Sequence, residues 1–161
     1  MSPPSGVVNV ALIGYGMGGS LFHAPFIAEN PRLRLAAVIT ANAGRQAEVR
    51  ARYPGAAVHG DIERLLTHLE DVELVVLSTP NSTHVAVAEA VLAHGRAVVV
   101  DKPVAPTLDE TRHLDALART CGTWAVPFQN RHWDGDFRTV VERLRTRVLG
   151  NLGKFESRYE R

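Results

Sequence analysis

The chain has 161 residues, enough for one domain with a substantial core, and its 45% hydrophobic and 22% charged residues are ordinary for a globular protein. Its net charge of +1, without a basic stripe interleaved with aromatic residues, argues against nucleic acid as a partner. The longest apolar stretches are far shorter than the ~20 residues of a membrane span, and residues 1–6 are typical of a loose tail. The single Cys121 forms no internal disulfide, so we expect a soluble, cytoplasmic domain.

Short apolar runs alternate with longer amphipathic segments, which is the pattern of a parallel sheet joined by crossover helices. Most runs are continuously apolar, as expected for strands that are buried on both faces. Pro127 in the last run predicts an edge strand or an early end, because proline cannot donate to a ladder hydrogen bond. The predicted strands are Val7–Ile13, Leu33–Ile39, Ala57–His59, Leu74–Ser78, Ala97–Val100 and Thr123–Phe128.

The segments between these runs carry helix start and stop signals. The predicted helices are Gly18–Glu29, Ala43–Tyr53, Ile62–Leu69, Thr83–His94 and Leu108–Cys121. The signals are Asp61 and Ser82 as N-caps, a capping box from Thr107 to Glu110, and Gly95 and Gly122 as stops. Together they predict a doubly wound, mostly parallel α/β sheet of the Rossmann type, in three α/β/α layers.

The end of the chain has a different pattern. Phe137–Leu149 is predicted to form one more amphipathic helix, closed by Gly150. Lys154–Arg161 alternates charged residues with aromatic and small ones, which predicts a half-exposed strand at the entrance to a second domain.

A glycine-rich loop follows the first predicted strand and opens a helix. In a G-x-G-x-x-G loop the first glycine permits the tight turn, the second lets a pyrophosphate approach the backbone, and the third allows close helix packing. The helix N-terminus then offers N–H groups to the phosphates. This context favours dinucleotide binding over a plain structural turn. The candidate cofactor contacts in this loop are Gly14, Tyr15, Gly16, Met17 and Gly19.

The second predicted strand ends without the acidic residue that accepts the ribose hydroxyls of NAD. Thr40, Asn42 and Arg45 follow it instead, and these side chains could hold a 2′-phosphate. The cofactor is therefore NAD(P), with a weak preference for NADP. The alternative is that Arg45 is only a solvated helix residue.

Two further loops follow later strands, at the sheet edge where ligands of open α/β sheets bind. Their candidate residues are Ser78, Thr79, Pro80, Asn81 and His84 in one loop, and Asp101 and Lys102 in the other. Only Lys102 and Lys154 are lysine among 18 Lys and Arg residues. Arginine cannot give up its proton near neutral pH, whereas lysine can be tuned to do so. Lys102 is thus a candidate catalytic residue, although both loops could be ordinary turns.

Four motifs in this order resemble the glucose–fructose oxidoreductase / inositol dehydrogenase family (Gfo/Idh/MocA). They are Gly14–Gly19 with Phe22–Pro25, Thr79–His84, Asp101–Pro103 and Gln129–Asp134. Members of this family are two-domain enzymes that oxidise or reduce sugars, inositols and similar polyols with NAD or NADP.

The resemblance implies a role for each matching residue. The three glycines would lie under the pyrophosphate, and the 78–84 loop would line the path from adenosine to nicotinamide. Asp101, where the family has Glu, would touch the nicotinamide ribose, and Lys102 would transfer the proton at the substrate carbinol. Asn130 and Arg131 would lie near the nicotinamide end.

The resemblance also implies a division into a tail at 1–6, a nucleotide domain at 7–150, and the start of a substrate domain at 151–161. We expect the chain alone to bind NAD(P) without turnover, and the full-length protein to form a homo-oligomer that takes a polyol or sugar. A truncated dinucleotide sensor without catalysis is the alternative, and a methyltransferase is a weaker one. No metal site is expected, because the seven histidines lack ligand spacing and one Cys cannot build the usual zinc site.

Overall fold

The structure, a computed structural model, describes residues 6–66 and 71–158. It contains two compact units, Met1–Phe128 and Gln129–Arg161, which are described separately. Within the described residues, no helix is both long and apolar enough to cross a membrane.

The first unit is built on one six-stranded sheet in which every pairing is parallel. The strand order is β3-β2-β1-β4-β5-β6, so the chain direction across the sheet reverses between β1 and β4. This arrangement confirms the predicted doubly wound fold. The strands are β1 (Val8–Ile13), β2 (Leu33–Ile39), β3 (Ala57–His59), β4 (Leu74–Leu77), β5 (Ala97–Val100) and β6 (Ala125–Pro127).

Helices cross between the strands. They are α1 (Ala24–Glu29), α2 (Ala43–Arg52), α3 (Glu63–Leu66), α4 (His84–Ala93) and α5 (Leu108–Thr120). The predicted helix Ile62–Leu69 forms only over α3 among the described residues, and its end at 67–69 lies outside them. As predicted, β6 is an edge strand that ends at Pro127.

Alternate residues of the central strand face opposite layers of the core. Val10 and Leu12 belong to a cluster with Ile27 and Val49, from α1 and α2. Ala11 and Ile13 belong to a second cluster, with residues of α4 and α5. Because both faces are covered there, residues Val10–Ile13 of β1 are all apolar.

The predicted helix Gly18–Glu29 differs from the observed one. Residues Gly19–His23 form a π-helical turn, and the regular helix α1 begins only at Ala24. A π turn holds an extra residue relative to an α turn and changes the direction of the side chains that follow.

The start and stop signals were mostly correct. Asp61 accepts from the N–H of Arg64, and Thr107 and Glu110 form the capping box. Gly95 and Gly122 have positive φ after their helices. The Ser82 prediction was wrong, because Ser82 lies inside a 3-10 turn, Asn81–Thr83, that precedes α4. Because the 3-10 turn occupies these three residues, α4 begins at His84.

The second unit holds a 3-10 turn, Asn130–Trp133, and the helix α6 (Gly135–Arg145). The predicted helix end at Leu149 was wrong, because Arg147 takes φ 53° in a tight turn that closes before Gly150. The predicted strand Lys154–Arg161 is also wrong over its described part, since 154–158 pair with no strand there. Residues 159–161 lie outside the described residues.

Candidate functional site

A cleft of about 530 Å³ lies at the carboxyl ends of β1, β2, β4 and β5. It lies at the position where the strand order reverses, which is the general ligand-binding place of open α/β sheets. Most of the sequence-predicted site residues line it: Gly14, Tyr15, Gly16, Met17, Thr40, Arg45, Ser78, Thr79, Pro80, Asn81, Asp101 and Lys102. The predicted residues Gly19, Asn42 and His84 do not.

Three glycines give the loop after β1 its shape. Gly14 has φ +97°, and a Cβ there would overlap the backbone carbonyl of Ser78. A Cβ on Gly19 would overlap the carbonyl oxygen of Gly14, so the helix can pack against the loop only through glycine. Gly16 differs, because the nearest atom to its Cβ position is Arg45 Nη1 at 3.9 Å. Gly16 therefore keeps the surface of the cleft open without being required by packing.

Gly18 is a site residue that the sequence prediction missed. A Cβ on Gly18 would lie 2.5 Å from Ser78 Oγ and 3.2 Å from Asp101 Oδ2. The loop backbone thus lies directly against the ends of β4 and β5. Residues 14–19 hold four glycines, one more than the G-x-G-x-x-G pattern requires, and this surplus glycine was the signal that could have found the contact.

The side chain of Tyr15 points away from solvent. It is 2% exposed, belongs to the core cluster of α1 and α2, and its hydroxyl donates to Glu48 at 3.3 Å. Burial, together with the charge of Glu48, raises the pKa of the Tyr15 hydroxyl to about 12. Tyr15 anchors the loop to α2.

The end of β2 carries no carboxylate in the cleft. Thr40, Ala41 and Arg45 line it, with Thr40 buried and Arg45 exposed. The Asn42 side chain accepts from the N–H of Arg45 at 3.0 Å and so caps α2. This leaves a hydroxyl and a guanidinium as the polar groups at this end.

The loop after β4 is tied to the loop after β5 by a buried histidine. His84 is fully buried, with Nε2 2.9 Å from the carbonyl oxygen of Thr79 and Nδ1 2.8 Å from that of Pro103. Thr83 donates to the Pro80 carbonyl and holds the same turn. His84 thus fixes the shape of the cleft wall from beneath it.

Asp101 lies at the centre of a hydrogen-bonded group. Its Oδ1 accepts from His23 Nε2 at 2.8 Å and its Oδ2 accepts from Ser78 Oγ at 2.7 Å. Burial alone would raise the pKa of the Asp101 carboxyl, but the hydrogen bonds from His23 and Ser78, with the nearby His23 and His84, lower it below its ordinary value. Asp101 is therefore a carboxylate.

Lys102 follows Asp101 and lines the same cleft. Its side chain is exposed, and within the described residues it makes no ion pair. The Lys102–Pro103 peptide is cis. The Lys102 side chain is an exposed cationic group at the edge of the cleft.

The predicted residues Asn130 and Arg131 belong to the second unit, within its 3-10 turn. Arg131 donates to Asp134 at 2.7 Å in that unit.

The sequence matches the profile of the oxidoreductase family with an NAD-binding Rossmann fold, Gfo/Idh/MocA, over residues 8–126. It is 40% identical over 154 residues to the uncharacterised oxidoreductase YdgJ of Escherichia coli, covering 96% of this chain and 43% of that protein. It is 29% identical over 154 residues to the scyllo-inositol 2-dehydrogenase (NADP(+)) IolW of Bacillus subtilis, covering 96% and 42%.

Among solved structures, the crystal structure of GenD2 from gentamicin A biosynthesis in complex with NAD is similar, with a TM-score of 0.79 and 29% identity. The match covers 91% of this chain and 41% of GenD2. The chain thus spans less than half the length of these relatives. It belongs to the Gfo/Idh/MocA oxidoreductase family, and its first unit is that family's NAD-binding Rossmann domain.

Proposed function

We propose that the protein transfers hydride between a nicotinamide cofactor held in this cleft and a sugar, inositol or similar polyol. One observation carries the proposal: the fold brings the glycine loop, the 78–81 loop and Lys102 to one cleft at the strand-order reversal. When bound, the cofactor supplies the hydride acceptor or donor, and the chain supplies binding and proton transfer.

The residues present fit a dinucleotide. Gly14 and Gly19 allow backbone approaches that a Cβ would block, Gly18 lies against the side chains of Ser78 and Asp101, and Gly16 leaves the space above the loop free. We propose that Gly14 and Gly16 hold the pyrophosphate, with Met17 and the backbone of Tyr15 beside it, while Gly19 lets the helix pack against the loop. The remaining contacts in this proposal come from Ser78, Thr79, Pro80, Asn81 and Asp101.

Lys102 is proposed as the general acid and base. Oxidation of a carbinol requires its hydroxyl proton to leave as the carbonyl forms, so a group that can accept a proton must lie within hydrogen-bond reach of that oxygen. Lys102 is exposed in the cleft without an ion pair among the described residues, and Arg at this position could not accept the proton.

We propose a preference for NADP. Arg45 and Thr40 are the polar groups of the cleft at the end of β2, where a carboxylate would repel a 2′-phosphate. The relatives carry both cofactors in their names, since IolW is an NADP(+) enzyme and the GenD2 structure holds NAD. Support for NADP therefore comes from the cleft residues.

We further propose that the substrate contacts come from the part of the relatives that this chain does not span. The division would place residues 7–150 with the nucleotide and begin a substrate domain at 151–161. The name of IolW, a scyllo-inositol dehydrogenase, supports a polyol substrate, and a homo-oligomer is proposed for the full-length protein.

The experiment is a substrate panel with the full-length protein. Inositols and sugars are offered with NADP or NAD, and reduced nicotinamide is followed by absorbance. We expect oxidation of at least one polyol and its loss when Lys102 is replaced. Dinucleotide binding without turnover of any polyol would contradict the proposal and favour a non-catalytic protein.

A further inference from the structure

A buried histidine holds the carboxylate that precedes the proposed catalytic lysine. His23 is 4% exposed, lies at the end of the π-helical turn, and donates to Asp101 Oδ1. Its ring also packs on Phe128, with ring centroids 4.2 Å apart. The two hydrophobic residues before it, Leu21 and Phe22, are exposed. The turn therefore buries the imidazole and leaves these two apolar side chains in solvent.

The second carboxylate oxygen of Asp101 is held from another strand. Ser78 Oγ donates to it at 2.7 Å, and the backbone of Gly18 lies against both groups. Two segments thus orient the Asp101 carboxylate at the end of β5: the π-helical turn through His23 and the end of β4 through Ser78. Hydrogen bonds to an ionised acceptor are stronger than neutral ones, so the carboxylate has a defined direction.

The direction matters because the neighbour of Asp101 is Lys102. Both residues line the cleft. The lysine side chain is long and flexible, so its ammonium group can form an ion pair with a nearby carboxylate. An ion pair with Asp101 would retain the proton on Lys102 and draw the ammonium away from a substrate. In the described residues Lys102 makes no such pair.

We infer that His23 is a positioning residue, which together with Ser78 holds the Asp101 carboxylate against the glycine loop and so keeps Lys102 unpaired in the cleft. The inference rests on the proposed role of Lys102. It assigns a function to the π-helical turn, which brings the imidazole to the end of β5.

The chain offers a direct test because Lys102 and Lys154 are its only lysines. Uncharged amines react with dilute acetic anhydride, so competitive labelling followed by mass spectrometry gives the rate for Lys102 relative to Lys154. The measurement uses the free chain and no cofactor. Circular dichroism checks the fold of each variant.

We expect His23→Phe and Ser78→Ala each to lower the Lys102/Lys154 ratio about two- to fivefold, the range for a solvent-exposed ion pair. His23→Gln keeps an N–H donor at about the distance of His23 Nε2 from the backbone, so this variant should keep the Lys102/Lys154 ratio of the unchanged chain. Combining Asp101→Asn with His23→Phe or with Ser78→Ala should also restore the Lys102/Lys154 ratio, because the carboxylate that would pair with Lys102 is then absent.

The matched control is His113→Gln, since His113 also lies 2.8 Å from a carboxylate, Glu89, but on the exposed surface of α5. Its ratio should equal that of the unchanged chain. An unchanged ratio in Ser78→Ala, or a decrease that persists with Asp101→Asn, would overturn the inference, even if His23→Phe did not fold. Failure of the unchanged chain to bind NAD or NADP would instead overturn the proposed function, so the two failures are distinguishable.

Discussion

Arg45 faces Gly16 across the cleft, with its Nη1 atom 3.9 Å from the position that a Cβ on Gly16 would occupy. The relationship joins the glycine loop after β1 to the start of α2. A dinucleotide with its pyrophosphate at Gly16 would place the adenosine ribose towards the end of β2, near this guanidinium. The pair therefore connects phosphate binding with the choice between NADP and NAD.

Replacing Ala41 with Asp should shift the cofactor preference towards NAD. Ala41 lines the cleft at the end of β2, where a carboxylate would accept ribose hydroxyls and repel a 2′-phosphate. We expect the ratio of the NADP and NAD dissociation constants to change by roughly tenfold or more, measured by calorimetric titration. Ala47→Asp adds the same charge on the exposed surface of α2, outside the cleft, and should leave the ratio unchanged. A strong preference of the unchanged chain for NAD would show that the interpretation of Thr40 and Arg45 is wrong.

Gly14→Ala and Gly16→Ala should separate folding from binding. Gly14 has positive φ and a carbonyl where the Cβ would lie, so we expect its variant to lose roughly 5 °C or more in Tm. Gly16 has room for a methyl group in the free chain, so its variant should keep its Tm. The methyl group fills the approach to the backbone, and dinucleotide affinity should fall roughly tenfold or more.

The control for the glycine pair is Gly55→Ala, because nothing lies within 4 Å of its Cβ position. That variant should keep both Tm and affinity. Normal binding by Gly16→Ala would place the pyrophosphate elsewhere.

Under the proposed function, Lys102→Arg in the full-length protein should retain dinucleotide binding and lose turnover. Arginine keeps the positive charge but cannot accept the carbinol proton. We expect dinucleotide affinity within a few-fold, while kcat falls by roughly 10²–10⁴, the range for losing a general acid or base. Lys154→Arg is the matched control, since Lys154 is exposed and pairs with Glu156. Near-normal kcat in Lys102→Arg would mean that another group moves the proton.

Tyr15 should make the stability of the chain depend on alkaline pH. Its folded-state pKa of about 12 exceeds the ordinary value of 10.0, so the folded chain keeps the phenolic proton that the unfolded chain loses. This contribution is fully present below pH 10.0 and is lost as pH rises towards about 12. We expect the free energy of unfolding, measured with urea, to fall less for Tyr15→Phe than for the unchanged chain as the pH rises from about 9 to about 11. Equal losses in the two chains would contradict the assignment.

Much of the fold could be predicted because the strands are mostly apolar and Gly95 and Gly122 mark the ends of two helices. The glycine loop was recognisable since Gly14 and Gly19 are required by backbone approaches that no other residue permits. The edge position of β6 followed from the missing N–H of Pro127.

The π-helical turn and the burial of His23 were not predicted, because hydrophobicity alone would bury the apolar residues of this segment and expose the histidine. Leu21, Phe22 and Phe26 are 47–66% exposed while His23 is buried. The spacing of apolar residues predicts which residues a helix buries only if the helix is a regular α-helix, and this segment contains a π-helical turn. The strand expected at Lys154–Arg161 has a suitable alternation, but a strand also needs a ladder partner, and the described residues supply none for 154–158.

The proposed function requires a nicotinamide dinucleotide to bind in the cleft of the first unit. Isothermal titration of the unchanged 161-residue chain with NADP and NAD, beside Gly16→Ala, tests it most directly. We predict one site per chain, an affinity for NADP at least equal to that for NAD, and much weaker binding by the variant. No heat of binding with either dinucleotide at ligand concentrations up to about 1 mM, or equal binding by Gly16→Ala, would contradict the account.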